Sequence, residues 1–148
     1  MEFIDSSDIN RVRKKIKSFK ELGKKVVVLA KDDFFNRKIF ENKDVDLVVG
    51  LEFHNRKDFL KQRDSGLNEV LCKLAKQNNI SLGFDMNKFK SLNQDDLAKV
   101  LARVIQNIKL CEKFGVDMLI VGNYNKQDVL SFFLTLGSST GFAKHCVS

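Results

Sequence analysis

Hydrophobic positions along this chain fall into two alternating spacings. Short continuous runs occur at Val26-Val27-Val28-Leu29-Ala30, from Val45 to Leu51, at Ile80-Ser81-Leu82-Gly83-Phe84 and at Asp117-Met118-Leu119-Ile120-Val121. Such runs, rich in β-branched residues, are typical of strands buried on both faces. A brief apolar start at Phe3-Ile4 resembles a further strand. Between the runs the spacing is helical. Ile9, Val12, Ile16 and Phe19 share one stripe, with Ser7 as the predicted cap and Gly23 as the stop. A short helix is predicted from Asp33 to Asn42 and another around Leu67 to Gln77. Asn93 with Asp95 and Asp96 opens the longest helix, striped by Leu97, Val100, Leu101, Val104, Ile108 and Cys111 and ended by Gly115. A last helix is predicted from Lys126 to Leu136, before the turn Gly137-Ser138-Ser139-Thr140-Gly141. Strand and helix in repeated order predict an α/β fold, a mostly parallel sheet with helices outside it. Five or six strands can be counted, fewer than the eight of a complete (β/α)₈ barrel. No Pro-rich or Gly/Ser-rich linker divides the chain, so residues 1–148 read as a single domain.

One junction stands out. The run from Val45 continues through Gly50-Leu51-Glu52-Phe53 straight into His54-Asn55-Arg56-Lys57-Asp58, and a polar stretch from Phe59 to Ser65 follows before Gly66-Leu67-Asn68. That connection is longer than most between a strand and a helix, which points to a task beyond joining them. Its cationic and amide side chains suit phosphate oxygens better than covalent chemistry.

Charge extends this picture. Over 148 residues, 26 Lys and Arg stand against 19 Asp and Glu, a formal charge of +7 with a pI near 9.4. An anionic polymer or surface is the expected partner. Arg11, Arg13, Lys14, Lys15, Lys17, Lys20, Lys24 and Lys25 surround the first predicted helix, with Glu21 the only acid between Arg11 and Lys25. A solvated outer face and an RNA- or partner-binding face account for them equally well. Lys31, Arg37, Lys38 and Lys43 add charge before the third strand. Arg56, Lys57, Lys61 and Arg63 alternate with Asn55, Gln62 and Ser65, a pattern that favours phosphate contact over mere solubility. Lys144 and His145 stand in an otherwise small and apolar tail.

Signals for catalysis are sparse. Neither Gly122-Asn123-Tyr124 nor Gly137-Ser138-Ser139 has the spacing or lysine of a phosphate-binding loop. With only His54 and His145, a His-rich metal site is short of nitrogen ligands. Cys146 with a histidine is one conceivable nucleophilic pair, but Cys72, Cys111 and Cys146 are scattered and apolar in context, as packing thiols of a reducing interior are. Asp32-Asp33 and Asp95-Asp96 sit where helices begin and read as caps rather than paired catalytic acids. Phe34-Phe35 and Phe132-Phe133 each place one ring inward and leave the other for a subunit interface. The short acidic start and the lack of an apolar run near the length of a membrane span lead us to expect a cytoplasmic protein.

Together, the stretch Asn55-Arg56-Lys57-Asp58 after a strand, Ser65-Gly66-Leu67-Asn68-Glu69-Val70-Leu71-Cys72, Ile80 to Phe84, and the ending Leu136-Gly137-Ser138-Ser139-Thr140-Gly141-Phe142-Ala143-Lys144-His145-Cys146-Val147-Ser148 resemble archaeal ribonuclease P protein component 3. The resemblance runs from about Lys31 to the end and includes Phe3-Ile4-Asp5 as the first strand. It implies a TIM-barrel-like fold related to PHP phosphoesterases, here a shortened or incomplete barrel of about six mostly parallel strands with outer helices. One or two strand–helix units are expected to be missing between Asp5 and Val26, and a short strand is expected to close the chain. The implied function is that of a protein subunit supporting the catalytic RNA of ribonuclease P in 5′ maturation of precursor tRNA. This chain would carry no catalytic residue and no cofactor, the Mg²⁺ being used by the RNA. The implied partners are the ribonuclease P RNA, a ferredoxin-like protein subunit of the Pop5 type in a heterotetramer, and precursor tRNA indirectly. The implied RNA-facing residues are Lys38, Arg56, Lys113 and Lys144, with Arg37, Asn55 and Lys57 beside them. Two alternatives remain open at this point. One is a metal-dependent phosphoesterase of the PHP type, and the other is a protein-binding scaffold without RNA contact.

Overall fold

The computed structural model describes residues 2–54 and 64–147. Five strands alternate with helices: β1 (Phe3–Ile4), α1 (Ile9–Glu21), β2 (Val27–Leu29), α2 (Asp33–Phe40), β3 (Leu47–Val49), α3 (Glu69–Asn78), β4 (Ser81–Asp85), α4 (Met86–Lys90), α5 (Gln94–Phe114), β5 (Met118–Val121), α6 (Lys126–Thr135) and α7 (Thr140–Cys146). Every pairing is parallel and the spatial order β1-β2-β3-β4-β5 follows the chain. Crossovers that step in one direction with one hand place all helices on the same side of the sheet, as in a section of a (β/α) barrel.

Helix starts follow the polar residues that can satisfy free amide groups. Asp32 accepts from the Phe35 amide at 2.8 Å, Asn68 from Leu71 at 2.9 Å and Asn93 from Asp96 at 2.8 Å. At α1 the cap is Asp8 rather than the expected Ser7, its carboxylate accepting from Asn10 N at 3.0 Å. A carboxylate is the stronger partner for the positive end of a helix. Gly115, at φ +69°, ends α5 in the left-handed conformation.

The sheet has two apolar faces. On the helix side Val26, Val28, Val48, Leu82, Phe84 and Ile120 pack with Val12, Ile16, Ile39, Ile108, Cys111 and Phe133. The other face carries a smaller cluster, Val27, Leu47, Val49 and Val121, edged by half-buried Phe3, Leu29 and Leu119. Gly83 lies in that face, where a Cβ would stand 2.5 Å from Val49 Cγ2. Its missing side chain is the space that Val49 and Leu47 occupy.

Several expectations are corrected. The described residues form a five-stranded sheet, within the five or six strands counted, but the tail expected to form a closing strand is helix α7. Ser139 Oγ caps that helix at the Phe142 amide (3.1 Å), and Ala143, Cys146 and Val147 face inward at helical spacing. The third strand stops at Val49 instead of Leu51: Gly50 takes φ +92° and a 3₁₀ turn, Leu51–Phe53, follows. Between Asp5 and Val26 the chain holds the single helix α1, and Phe3 pairs directly with Val27. Helix α4, capped by Asp85, was not legible in the periodicity. Phe34 is 70% exposed over buried Phe35, as expected. Phe132 is not left outside, because its ring packs 5.4 Å from that of Phe89 and 6.0 Å from that of Phe133.

Candidate nucleic-acid interface

The cationic connection after β3 leaves the sheet at its carboxyl end and returns through Asp64, where polar residues tie its two ends together. His54 Nε2 is 2.6 Å from the Asp64 carbonyl oxygen and 3.6 Å from its carboxylate. From α5, Arg103 Nη1 donates to the carbonyl oxygens of Glu52 (3.1 Å) and His54 (2.9 Å), and one turn later Asn107 Nδ2 donates to Ser65 O (3.4 Å). Ser65 Oγ donates to Leu67 O at 3.2 Å, and Asp64 accepts from the Gly66 amide at 3.0 Å. Gly66 has φ +83°, and a Cβ there would collide with the Leu51 carbonyl. Only glycine lets the returning chain lie so close to the 3₁₀ turn. Helix α5 thus serves as a pedestal that fixes both ends of the connection.

Sequence reasoning overlooked this pedestal. The buried stripe of α5 is Val100, Arg103, Val104, Asn107, Ile108 and Cys111, so an arginine and an asparagine one turn apart occupy core positions. Their i, i+4 spacing inside an apolar stripe was the available signal. Beside them Glu52 is 4% exposed, and burial pushes its carboxyl up to about 7, although its own backbone hydrogen bond and the Lys88 charge pull the other way. Lys88 Nζ lies 4.8 Å from the Phe53 ring centroid.

The expected RNA-facing residues fall in separate places. Asn55, Arg56 and Lys57 lie outside the described residues, and their flanks His54 and Asp64 are at the carboxyl end of the sheet. Lys113 is exposed in the last turn of α5, near the amino end of β5, and Lys144 is exposed on α7. These two elements meet where Ser139 N donates to Glu112 Oε1 (3.0 Å) and His145 pairs with Asp117 (3.2 Å). Arg37 is exposed on α2 and engaged by Glu41 at 2.8 Å, while Lys38 Nζ sits 5.5 Å from the centroid of the exposed Phe34 ring.

Thiol chemistry finds no support in this geometry. All three cysteines are free and buried. Burial pushes Cys72 up to about 11 and Cys146 up to about 12, and raises Cys111 as well, so the nucleophilic thiolate is scarce. Among the described residues no three His, Cys, Asp or Glu side chains are placed to hold a metal ion, and no helix is long and apolar enough to cross a membrane.

No family model matches the chain. Over 138 residues it is 25% identical to ribonuclease P protein component 3 of Methanococcus vannielii, covering 88% of this chain and 57% of that protein. A chain in a cryo-EM structure of archaeal ribonuclease P with mature tRNA superposes with a TM-score of 0.77 at 25% identity, covering 97% of this chain and 61% of that one. In sequence this chain is similar to ribonuclease P protein component 3, and in fold to a chain of archaeal ribonuclease P. The component 3 of Methanococcoides burtonii is 31% identical over 92 residues, covering 62% of this chain and 35% of its relative. The chain spans about half the length of the curated component 3 proteins it matches, 57% of one and 47% of another. An uncharacterized protein of known crystal structure shares the fold at 10% identity, with a TM-score of 0.53. The five-stranded parallel sheet with outer helices is thus also found in a chain of archaeal ribonuclease P.

Proposed function

We propose that this chain is a protein subunit of ribonuclease P that supports the catalytic RNA in 5′ maturation of precursor tRNA. The observation that carries the reading is the match of nearly the whole chain, 97%, to a chain of an archaeal ribonuclease P assembly with tRNA. The basic balance of the chain and the cationic connection held on the α5 pedestal are consistent with it. In this reading the chain bears on phosphates, the RNA and its Mg²⁺ do the chemistry, and a ferredoxin-like subunit completes a heterotetramer. Arg56, Lys57 and Asn55 on the connection, with Lys38, Arg37, Lys113 and Lys144 elsewhere, are the RNA-facing side chains. Three free cysteines fit work in a reducing cytoplasm.

Reconstituted cleavage of precursor tRNA, with the catalytic RNA and the remaining subunits, tests the reading. Adding this chain should raise the rate or lower the Mg²⁺ requirement. An unchanged rate and an unchanged Mg²⁺ requirement would overturn it.

A further inference from the structure

A dense run of positive charge lies on α1 and the turn behind it. All eight cations from Arg11 to Lys25 are exposed, while Val12 and Ile16 are the buried residues of the helix. The acids nearby do little to neutralise them. Asp8 is committed to the helix cap, and Glu21 is the one acid within the stretch. Among the described residues the only ion pair these cations make is Lys24 with Glu2, at 3.5 Å. By contrast α2 and α3 each carry an internal pair, Arg37 with Glu41 and Lys73 with Glu69. Like charges also stack along α1: Arg11 with Lys14 and Lys15, Arg13 with Lys17, Lys14 with Lys17, and Lys17 with Lys20 are all three or four residues apart. A helix that needed only to be wet would not gather repelling neighbours in this way. Behind its last turn, Lys20, Lys24 and Lys25 line a polar cleft with Asn79 and Ser81 at the amino end of the sheet. The carboxylate in that cleft, Asp46, is already bound to the Val26 amide at 2.8 Å.

We propose that α1 and the Lys24-Lys25 turn form an RNA-backbone surface distinct from the connection after β3. The inference rests on the ribonuclease P reading and adds a second contact face to it. The chemistry of the patch selects its partner. A protein interface is anchored by apolar and aromatic residues and is depleted of lysine at its centre. A membrane-surface helix turns its apolar face outward, whereas that of α1 is packed in the core. Cations on every exposed side of a helix, with Leu22 at its end the one large apolar side chain exposed among them, match a curved array of phosphates better than they match a protein surface.

The test uses the full chain and two probes, an RNA duplex of about one and a half to two helical turns and poly-glutamate. The variant replaces Arg11, Lys14, Lys15 and Lys17 by Gln, which keeps helix propensity. Duplex affinity at about 0.1 M salt should fall at least about tenfold, and the slope of log affinity against log salt should become shallower by about two or more. The melting temperature should rise at low salt as the repulsion is removed, a gain that a misfolded variant would not show. The milder pair Lys14→Gln and Lys17→Gln should fall between parent and quadruple variant. Unchanged duplex affinity and slope would overturn the proposal, as would a parent chain that binds poly-glutamate as tightly as RNA. Failure here leaves the cleavage assay untouched, because that assay asks only whether the chain acts on ribonuclease P.

Discussion

Replacing Glu52 by Gln should make the protein more stable at neutral pH and leave it unchanged in mild acid. The carboxyl is buried beneath the 3₁₀ turn, and its Oε1 has no hydrogen-bond partner among the described residues. Its ordinary value of 4.5 is raised to about 7, first of all by burial. The folded form therefore binds a proton that the unfolded chain has already released. Stability from this group is fully present below about pH 4.5, declines as pH rises, and is lost above about pH 7. The whole effect is about 3 kcal/mol, a sizeable share of a stability of about 5–15 kcal/mol. Glutamine has the same shape and never ionises, so the difference between variant and parent isolates this one titration from all others. Urea unfolding midpoints of both proteins, followed from mild acid to mild base, give the difference curve directly. It should be near zero at the acid end and climb to about 3 kcal/mol in favour of Glu52→Gln above neutrality. A flat difference curve would refute the reasoning, and one with the opposite slope would mean that the ionised carboxylate is the form the fold prefers.

Two further substitutions test the pedestal. Arg103→Met keeps much of the length and volume of the side chain but leaves the Glu52 and His54 carbonyl oxygens without their donor. It should lower unfolding stability by about 2–4 kcal/mol, and a change under about 0.5 kcal/mol in denaturant unfolding would show that the arginine is incidental. Gly66→Ala introduces a Cβ that meets the Leu51 carbonyl from a left-handed backbone. A loss above about 2 kcal/mol is expected in the same assay, and a tolerated alanine would show that the turn can relax.

Much of the fold was legible because its determinants are local. The runs at Val26 and Ile80 became β2 and β4, and Asp32, Asn93 and Gly115 marked helix ends, since each depends on a few neighbouring residues. Misreadings came where two local signals compete or where the partner is distant. Gly50 interrupts an apolar run that otherwise continues to Leu51, and a single left-handed residue outweighed the hydrophobicity around it. The tail around Phe142 carries too few residues to separate strand from helix by period, and the Ser139 cap decided it. The site was legible as a cationic connection, but its support was not. Arg103 lies 49 residues from His54 in sequence, so its place in the apolar stripe of α5 signals burial but not which carbonyl groups its donors meet.

The tie between His54 and Asp64 also bears on how this surface can change over time. Because the ends of the connection are held to each other and to α5, a substitution at one anchor is felt at both ends. Change at this surface is therefore constrained first at Arg103, Asn107 and Gly66, two of which lie on a helix far from the connection in sequence.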